Sequence, residues 1–306
     1  MSSSFSSSIL LFVVLTGNKC YNYSDIKGYC FKVAKEVLVV NKNAPIGVLD
    51  TGVGGLSVLK CLHQLLPHED FIYVGDTART PYGTRPEQEI RGFVAEIIDW
   101  LAAQGVKEVV IACNTLTMLG VDSLKGDHKF PIVGMSKGEK LLLAASKKKK
   151  IGVFATPFTI STEAHKKAIL AADPTAEVYP MPCPKYVPLI EGEQFDSPEL
   201  PAAIAEYAAP LKEAGIDALI LSCTHYPFIK EQIEAEFGPE VTVIDPAEAT
   251  SYLAIDALKG IDALKEEGAG KVTVCGTADI DRVRRLAERM LPVEDCQFKE
   301  INLADK

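Results

Sequence analysis

Two segments of the 306-residue chain set a thiol among hydrogen-bonding side chains: VVIACNTLTM at 109–118 and LILSCTHYPF at 219–228. In each, an apolar run ends at a cysteine, Cys113 or Cys223. Polar residues follow at once: Asn114 and Thr115 in the first, Thr224 and His225 in the second. A lone cysteine in an apolar run ordinarily packs as a small hydrophobe. Here both come at the end of the run and just before a helical pattern. The free N–H groups of a helix start then lie near the sulfur, where they lower a thiol's pKa or hold a substrate carboxylate. Zinc is the rival chemistry, with Cys223 and His225 as ligands. It needs further ligands, and the chain has no C-x-x-C pair to supply them.

The elements that must position these residues follow from Pro45 onward. PIGVLD, FIYVGD, EVVIAC and FPIVGM read as strands, separated by helical patterns at 56–66 and 85–105 and after Cys113. Pro86 suits the first turn of the long second helix and Gly105 its C-terminal cap. The alternation restarts at KIGVFAT. It continues through a helix over 161–172, the strand AEVYPM, a helix over 197–215, and the strands DALILSC, VTVID, KVTVCGT and CQFKEI. Such alternation predicts an α/β fold with mainly parallel sheets covered on both faces. IGVLDT and IGVFAT open similarly, and IACNT resembles LSCTH, which suggests two similar lobes from a weak internal duplication.

Ligands of parallel sheets sit beyond the carboxyl ends of the strands. There stand Asp50-Thr51, Gly75-Asp76-Thr77, Cys113-Asn114-Thr115, Thr156, Cys223-Thr224-His225 and Asp245. The glycines of DTGVGG at 50–55 permit a tight turn and close approach of backbone to a ligand. The spacing matches neither phosphate-loop pattern, and Asp50 would repel phosphate. A carboxylate there suits an ammonium group or a neighbour whose proton must be managed; a helix cap is the bland alternative. RTPYGTR at 79–85 can turn backbone N–H groups toward a carboxylate or be a plain surface turn. Asp245-Pro246 with Glu248 reads as a helix cap. His63, His68, His128 and His165 show no partner pattern and read as surface or satisfied residues.

Composition narrows the classes. Apolar residues at 47% and charged residues at 24% fit a globular protein, and a net charge of −9 offers no footprint for nucleic acid. The one basic run, SKKKK at 146–150, reads as a solvated loop. Eight cysteines at wide, irregular spacing read as free thiols of a reducing compartment, hence a cytoplasmic protein. ILLFVVL at 9–15 is too short to span a bilayer; it resembles the apolar region of a signal peptide but lacks the basic start, so an extended start or appended tail is the first reading, a targeting segment the alternative, and no membrane partner is expected. Residues 1–44 are expected to form an extension outside the fold.

The motifs GVLDTGVGGLSVL, YVGDTARTPYG, ACNT, CPKYVPLIEGE, CTHYP and VIDPAEAT, in this order over about 45–258, resemble the glutamate racemase family of the aspartate/glutamate racemase superfamily. The resemblance implies a racemase without a cofactor, with one thiol on each side of the substrate's α-carbon. Cys113 and Cys223 would exchange the roles of acid and base, assisted by Asp50 and His225 respectively. It assigns Asp50, Thr51, Tyr82, Gly83, Asn114, Thr115, Thr224 and His225 to the substrate, and Glu191 to a nearby carboxylate. It also implies that residues 245–306 return to complete a first lobe begun by 45–145, with 146–244 as the second and the site in the cleft. Glutamate is the implied small-molecule partner, peptidoglycan the implied use of the D-isomer, and a homodimer is among the assemblies allowed. The chain departs from the family pattern at Thr51, Leu116 and Ser222 and in GMSKGEK at 134–140. Aspartate or another amino acid is therefore the alternative substrate, and a non-catalytic amino-acid-binding protein the alternative class.

Overall fold

The computed structural model describes residues 41–82, 85–124, 126–291 and 296–305. Most of the expected extension, residues 1–40, lies outside the described residues. Two of its last four residues touch the fold: Ala44 is buried, and the Lys42 carbonyl accepts from Lys107 Nζ at 2.7 Å.

Strands and helices alternate as β1 (Ile46–Asp50), α1 (Leu56–Leu65), β2 (Phe71–Gly75), α2 (Glu87–Ala103), β3 (Glu108–Ile111), α3 (Asn114–Met118), α4 (Val121–Leu124), β4 (Ile132–Gly134) and α5 (Glu139–Ala145). The chain continues through β5 (Lys150–Ala155), α6 (Pro157–Ser161), α7 (Ala164–Ala172), β6 (Glu177–Pro182), α8 (Tyr186–Glu191), α9 (Glu199–Ala214) and β7 (Ala218–Ser222). After a 3-10 turn at Tyr226–Ile229 come α10 (Lys230–Phe237), β8 (Thr242–Ile244), α11 (Ala247–Gly260), β9 (Val272–Gly276), α12 (Ile280–Glu288) and β10 (Cys296–Glu300).

The strands form two parallel sheets, β10-β9-β2-β1-β3-β4 and β6-β5-β7-β8. β1, β3 and β7 are buried along their whole length, as expected of central strands covered on both faces. The inner order is the same in both sheets: β2-β1-β3-β4 repeats as β6-β5-β7-β8. IGVLDT and IGVFAT therefore head equivalent strands, and Cys113 and Cys223 follow equivalent strands. The C-terminal strands return to the first sheet, where β9 pairs with β2 in the register Phe71 to Val272.

Local details differ from the sequence pattern where capping decides. The helix expected over 161–172 is two helices, broken at Thr162 and Glu163, with Glu163 in the left-handed region at φ 55°. Thr156, not a later residue, caps the first of them by accepting from Thr159 N. Pro86 stands one position before α2 rather than inside its first turn, and Pro246 is the cap of α11, with Asp245 Oδ1 accepting from Ala247 N at 2.9 Å. Gly105 follows α2 at φ 75°, the conformation a glycine takes beyond a helix end. Lys147 and Lys148 of the basic run donate backbone N–H groups to Asp217 at 2.7 and 2.6 Å, which anchors the turn into β5.

Glu108, at the start of β3, is fully buried, and neither carboxyl oxygen has a hydrogen-bond partner. The adjacent Lys107 ammonium is taken by Glu69, Lys42 and Ala263. Burial, with the Glu69 charge adding and Lys107 opposing, pushes the Glu108 pKa from 4.5 up to about 9. The folded protein thus holds a proton that the unfolded chain releases above about pH 4.5. The stability contribution is complete below that pH and is lost as pH rises toward 9, by up to about 1.4 kcal/mol per unit. Glu108→Gln is expected to flatten this fall. Urea midpoints at pH 6 and 8.5 check it, and an unchanged pH dependence in the variant would disprove it.

Candidate active site

Each sheet reverses its winding direction at its central pair of strands, β1/β3 or β5/β7, and the loops diverge there to leave a crevice. Register decides what stands in each. Leu49 pairs with Ile111, and Ala112 N donates to the Leu49 carbonyl at 2.8 Å, so Asp50 and Thr51 emerge beside Cys113. Ala155 pairs with Ser222, so Thr156 emerges beside Cys223. Both crevices open on one cavity of about 380 Å³.

Cys113 and Cys223 both line that cavity, with Thr51, Tyr82, Asn114, Thr115, Thr224 and His225. Asp50 lies just behind the wall, wholly buried. It does not cap α1, whose cap is Gly55. Its Oδ1 accepts from Thr51 N at 2.5 Å and its Oδ2 from Thr224 Oγ1 at 3.0 Å. The sequence assignments thus converge, except that Gly83 lies outside the described residues. Tyr82 is present with a restriction: its hydroxyl donates to Asp76, so it meets the cavity with its ring or as an acceptor. Asn114 is 2% exposed, and neither its Nδ2 nor its Oδ1 has a partner. A buried primary amide left with both ends free is ready to donate to a carboxylate and accept from an ammonium.

The two thiols sit in unlike fields. Cys113 caps α3, and N–H groups of Thr115 and Leu116 favour its thiolate, as the sequence pattern predicts. They lose. Burial, reinforced by the Asp50 charge, drives the Cys113 pKa well above the ordinary thiol value. The expectation of a lowered pKa is therefore corrected for Cys113, because the start of a five-residue helix does not offset burial of the thiol. Burial also raises the Asp50 pKa, against the pull of His225 and two hydrogen bonds. On the other side, the Cys223 sulfur lies 3.8 Å from His225 Nδ1. His225 Nε2 lies 2.7 Å from Glu191 Oε1. Burial disfavours the imidazolium, yet Cys223 and Glu191 outweigh it and hold the His225 pKa well above the usual value. Burial likewise opposes the Glu191 carboxylate, and His225 and Arg282 outweigh it in turn.

The glycines of 50–55 allow a close approach, though to protein groups rather than only to a ligand. A Cβ on Gly54 would fall 2.5 Å from His225 Nδ1 and 2.6 Å from Thr224 Oγ1, and one on Gly52 would collide with Glu191 Oε1. Several wall residues had no signal of their own in the sequence, notably Phe158 in α6 and Val187 in α8. The cue for Phe158 is position after a strand end, and Val187 is carried only within the motif CPKYVPLIEGE. His165 departs from expectation: it is buried, its Nε2 is unpartnered, and burial lowers its pKa to about 4. Among the described residues, no group of three or more His, Cys, Asp and Glu side chains is arranged to hold a metal ion.

Comparison with known proteins bears on the family and the fold. The model of the Asp/Glu/hydantoin racemase family matches residues 46–254. A glutamate racemase of Trichormus variabilis is 42% identical over 228 residues, 74% of this chain and 76% of that protein. A solved glutamate racemase isoform of Bacillus anthracis superposes with a TM-score of 0.80 at 32% identity, over 87% of this chain and all of that one. The glutamate racemase of Francisella tularensis, solved with D-glutamate, gives 0.77 at 33% identity over the same shares.

Proposed function

Since the chain belongs to the Asp/Glu/hydantoin racemase family, we propose that it is an isomerase that interconverts L- and D-glutamate by passing the α-proton between Cys113 and Cys223. The observation that carries this reading is the single cavity lined by both thiols, each backed by its own proton-managing group. The relatives' substrate makes glutamate the first choice over aspartate. A binding protein needs no thiol on each face of its ligand.

The chemistry follows from the two fields. Cys113, with its raised pKa, holds its proton and is the resting acid. A thiolate base needs a nearby cation, and the His225 imidazolium is 3.8 Å from the Cys223 sulfur. In one direction Cys223 takes the α-proton and Cys113 delivers another to the opposite face. In the reverse direction the roles exchange, with Asp50 and His225 adjusting the proton count on each side. The α-carbon is a weak acid, so charge developing on the substrate must be met by fixed donors. Asn114, Thr115, Thr51 and Thr224 are the groups placed to hold the carboxylates and amine, with Tyr82 and Gly83 in the facing loop. No cofactor enters these steps. The D-glutamate formed would serve peptidoglycan synthesis, and a reduced cytoplasm suits a site that depends on two free thiols.

The test is to incubate the protein with each hand of glutamate in deuterated water, with no added cofactor. The product hand is expected to carry deuterium at the α-carbon from the first turnover. Absence of exchange with either hand would overturn the reading, and exchange with aspartate alone would move it to the alternative substrate.

A further inference from the structure

The Cys223 half of the site depends on a residue from the opposite lobe that the motifs do not include. Glu191, at the end of α8, is held by three separate elements. Its Oε1 accepts from His225 Nε2 at 2.7 Å and from Val53 N at 3.2 Å, in the loop after β1. Its Oε2 accepts from Arg282 Nη1 at 2.6 Å, and the same Nη1 donates to the Glu191 carbonyl at 3.1 Å. One guanidinium nitrogen thus ties the Glu191 side chain to its own backbone. Arg282 is itself aimed, because its Nε donates to Asp279, the cap of α12, at 3.1 Å.

We propose that Arg282 is a positioning residue for the Cys223 acid/base, acting through Glu191 to fix the His225 ring against the sulfur. The proposal rests on the racemase reading above. It makes the returning C-terminal segment, through α12, a working part of the second thiol's environment and not only a completion of the first sheet. The arrangement contains its own comparison. One turn further along α12, Arg285 pairs at 2.6 Å with Glu193, in the turn just after α8. That pair is more exposed, at 54% and 31%, than Arg282 and Glu191, at 18% and 11%, and among the described residues Arg285 bonds to Glu193 and not to the Glu191 carboxylate that holds His225. If tethering were the whole role, the two arginines would be equivalent.

The enantiomers of glutamate have equal free energy, so any variant lowers kcat/KM equally in both directions. Isotope effects separate the two proton transfers. When the Cys223 transfer is slowed, it becomes more rate-limiting. The primary deuterium effect rises for the α-deuterated hand that Cys223 deprotonates and falls for the hand that Cys113 deprotonates. Arg282→Met is expected to lower kcat/KM about tenfold with this opposed change, while Arg282→Lys recovers to within about threefold of the native value. Arg285→Met is expected to leave kcat/KM and both isotope effects as in the native protein. In a Glu191→Gln background, Arg282→Met should add little. Native kcat/KM in Arg282→Met, isotope effects that move together, or an equal loss in Arg285→Met would overturn the proposal. Should Arg282→Met fail to fold, Arg282→Lys and Arg282→Gln are read by the same isotope criterion. Failure of the racemase reading is separately visible, as a native protein that exchanges neither hand.

Discussion

Cys113→Ser and Cys223→Ser are each expected to lower racemisation by about a thousandfold or more, equally from either hand, while opposite hands of glutamate keep exchanging their α-proton with solvent. A serine hydroxyl in the same buried position is far too weak an acid and its alkoxide far too costly to serve as the missing partner. The remaining thiol is intact. It can still take the α-proton from the hand that faces it, exchange that proton with solvent and return it to the same face. Each variant should therefore wash deuterium into one hand without inversion, and the two variants should mark opposite hands. The unlike fields refine this expectation. Cys223 in the Cys113→Ser protein keeps the His225 cation beside it, whereas Cys113 in the Cys223→Ser protein must be deprotonated against burial and the Asp50 charge. Exchange should be faster in Cys113→Ser. Nuclear magnetic resonance of each hand in deuterated water reads both quantities. Exchange of the same hand by both variants, or retained inversion in both, would refute the two-thiol scheme.

The cysteines show how far sequence reasoning reaches here. Their place at strand ends was legible because an apolar run of strand length that stops at a polar cluster has few other readings, and the repeated strand order confirms that they are equivalent. The acidity of Cys113 was not legible. A helix start beside Cys113 argues for a low pKa, and only the depth of burial, which depends on how the two sheets close over the cavity, reverses it. Glu191 lay in a recognisable motif, but Arg282 did not. Nothing in an ordinary amphipathic helix signals that one of its arginines reaches a carboxylate 91 positions away. The break at Glu163 is similar in kind, since a left-handed residue without glycine leaves no mark in the pattern. Residues that act by local geometry were found, and those that act by tertiary contact were found only when a motif already contained them.

Gly54 joins both halves of the site, and Gly54→Ala is the second substitution expected to have a large effect. Its Cα lies where the turn after β1 meets the segment after β7. An added methyl would stand 2.5 Å from His225 Nδ1, 2.6 Å from Thr224 Oγ1 and 2.8 Å from His225 Cε1. These are the atoms that serve the two thiols: Nδ1 faces the Cys223 sulfur, and Thr224 Oγ1 donates to Asp50 beside Cys113. Neither side chain is free to swing away. His225 is pinned through Nε2 to Glu191, and Thr224 is 3% exposed. The backbone must therefore give, and overpacking of this kind costs about 1–3 kcal/mol of stability. That loss leaves a folded protein, while displacement of His225 and Thr224 by a fraction of an ångström should cost about a hundredfold in kcat/KM. Gly92→Ala is the control. Gly92 sits within α2 with nothing within 4 Å of the added methyl, so the change should stabilise by about 0.5–1 kcal/mol and leave turnover alone. Thermal midpoints and racemisation rates measured together distinguish the cases. A Gly54→Ala protein with native turnover would mean that the turn can yield without moving His225, and the tight apposition of the two half-sites would then not be what sets their geometry.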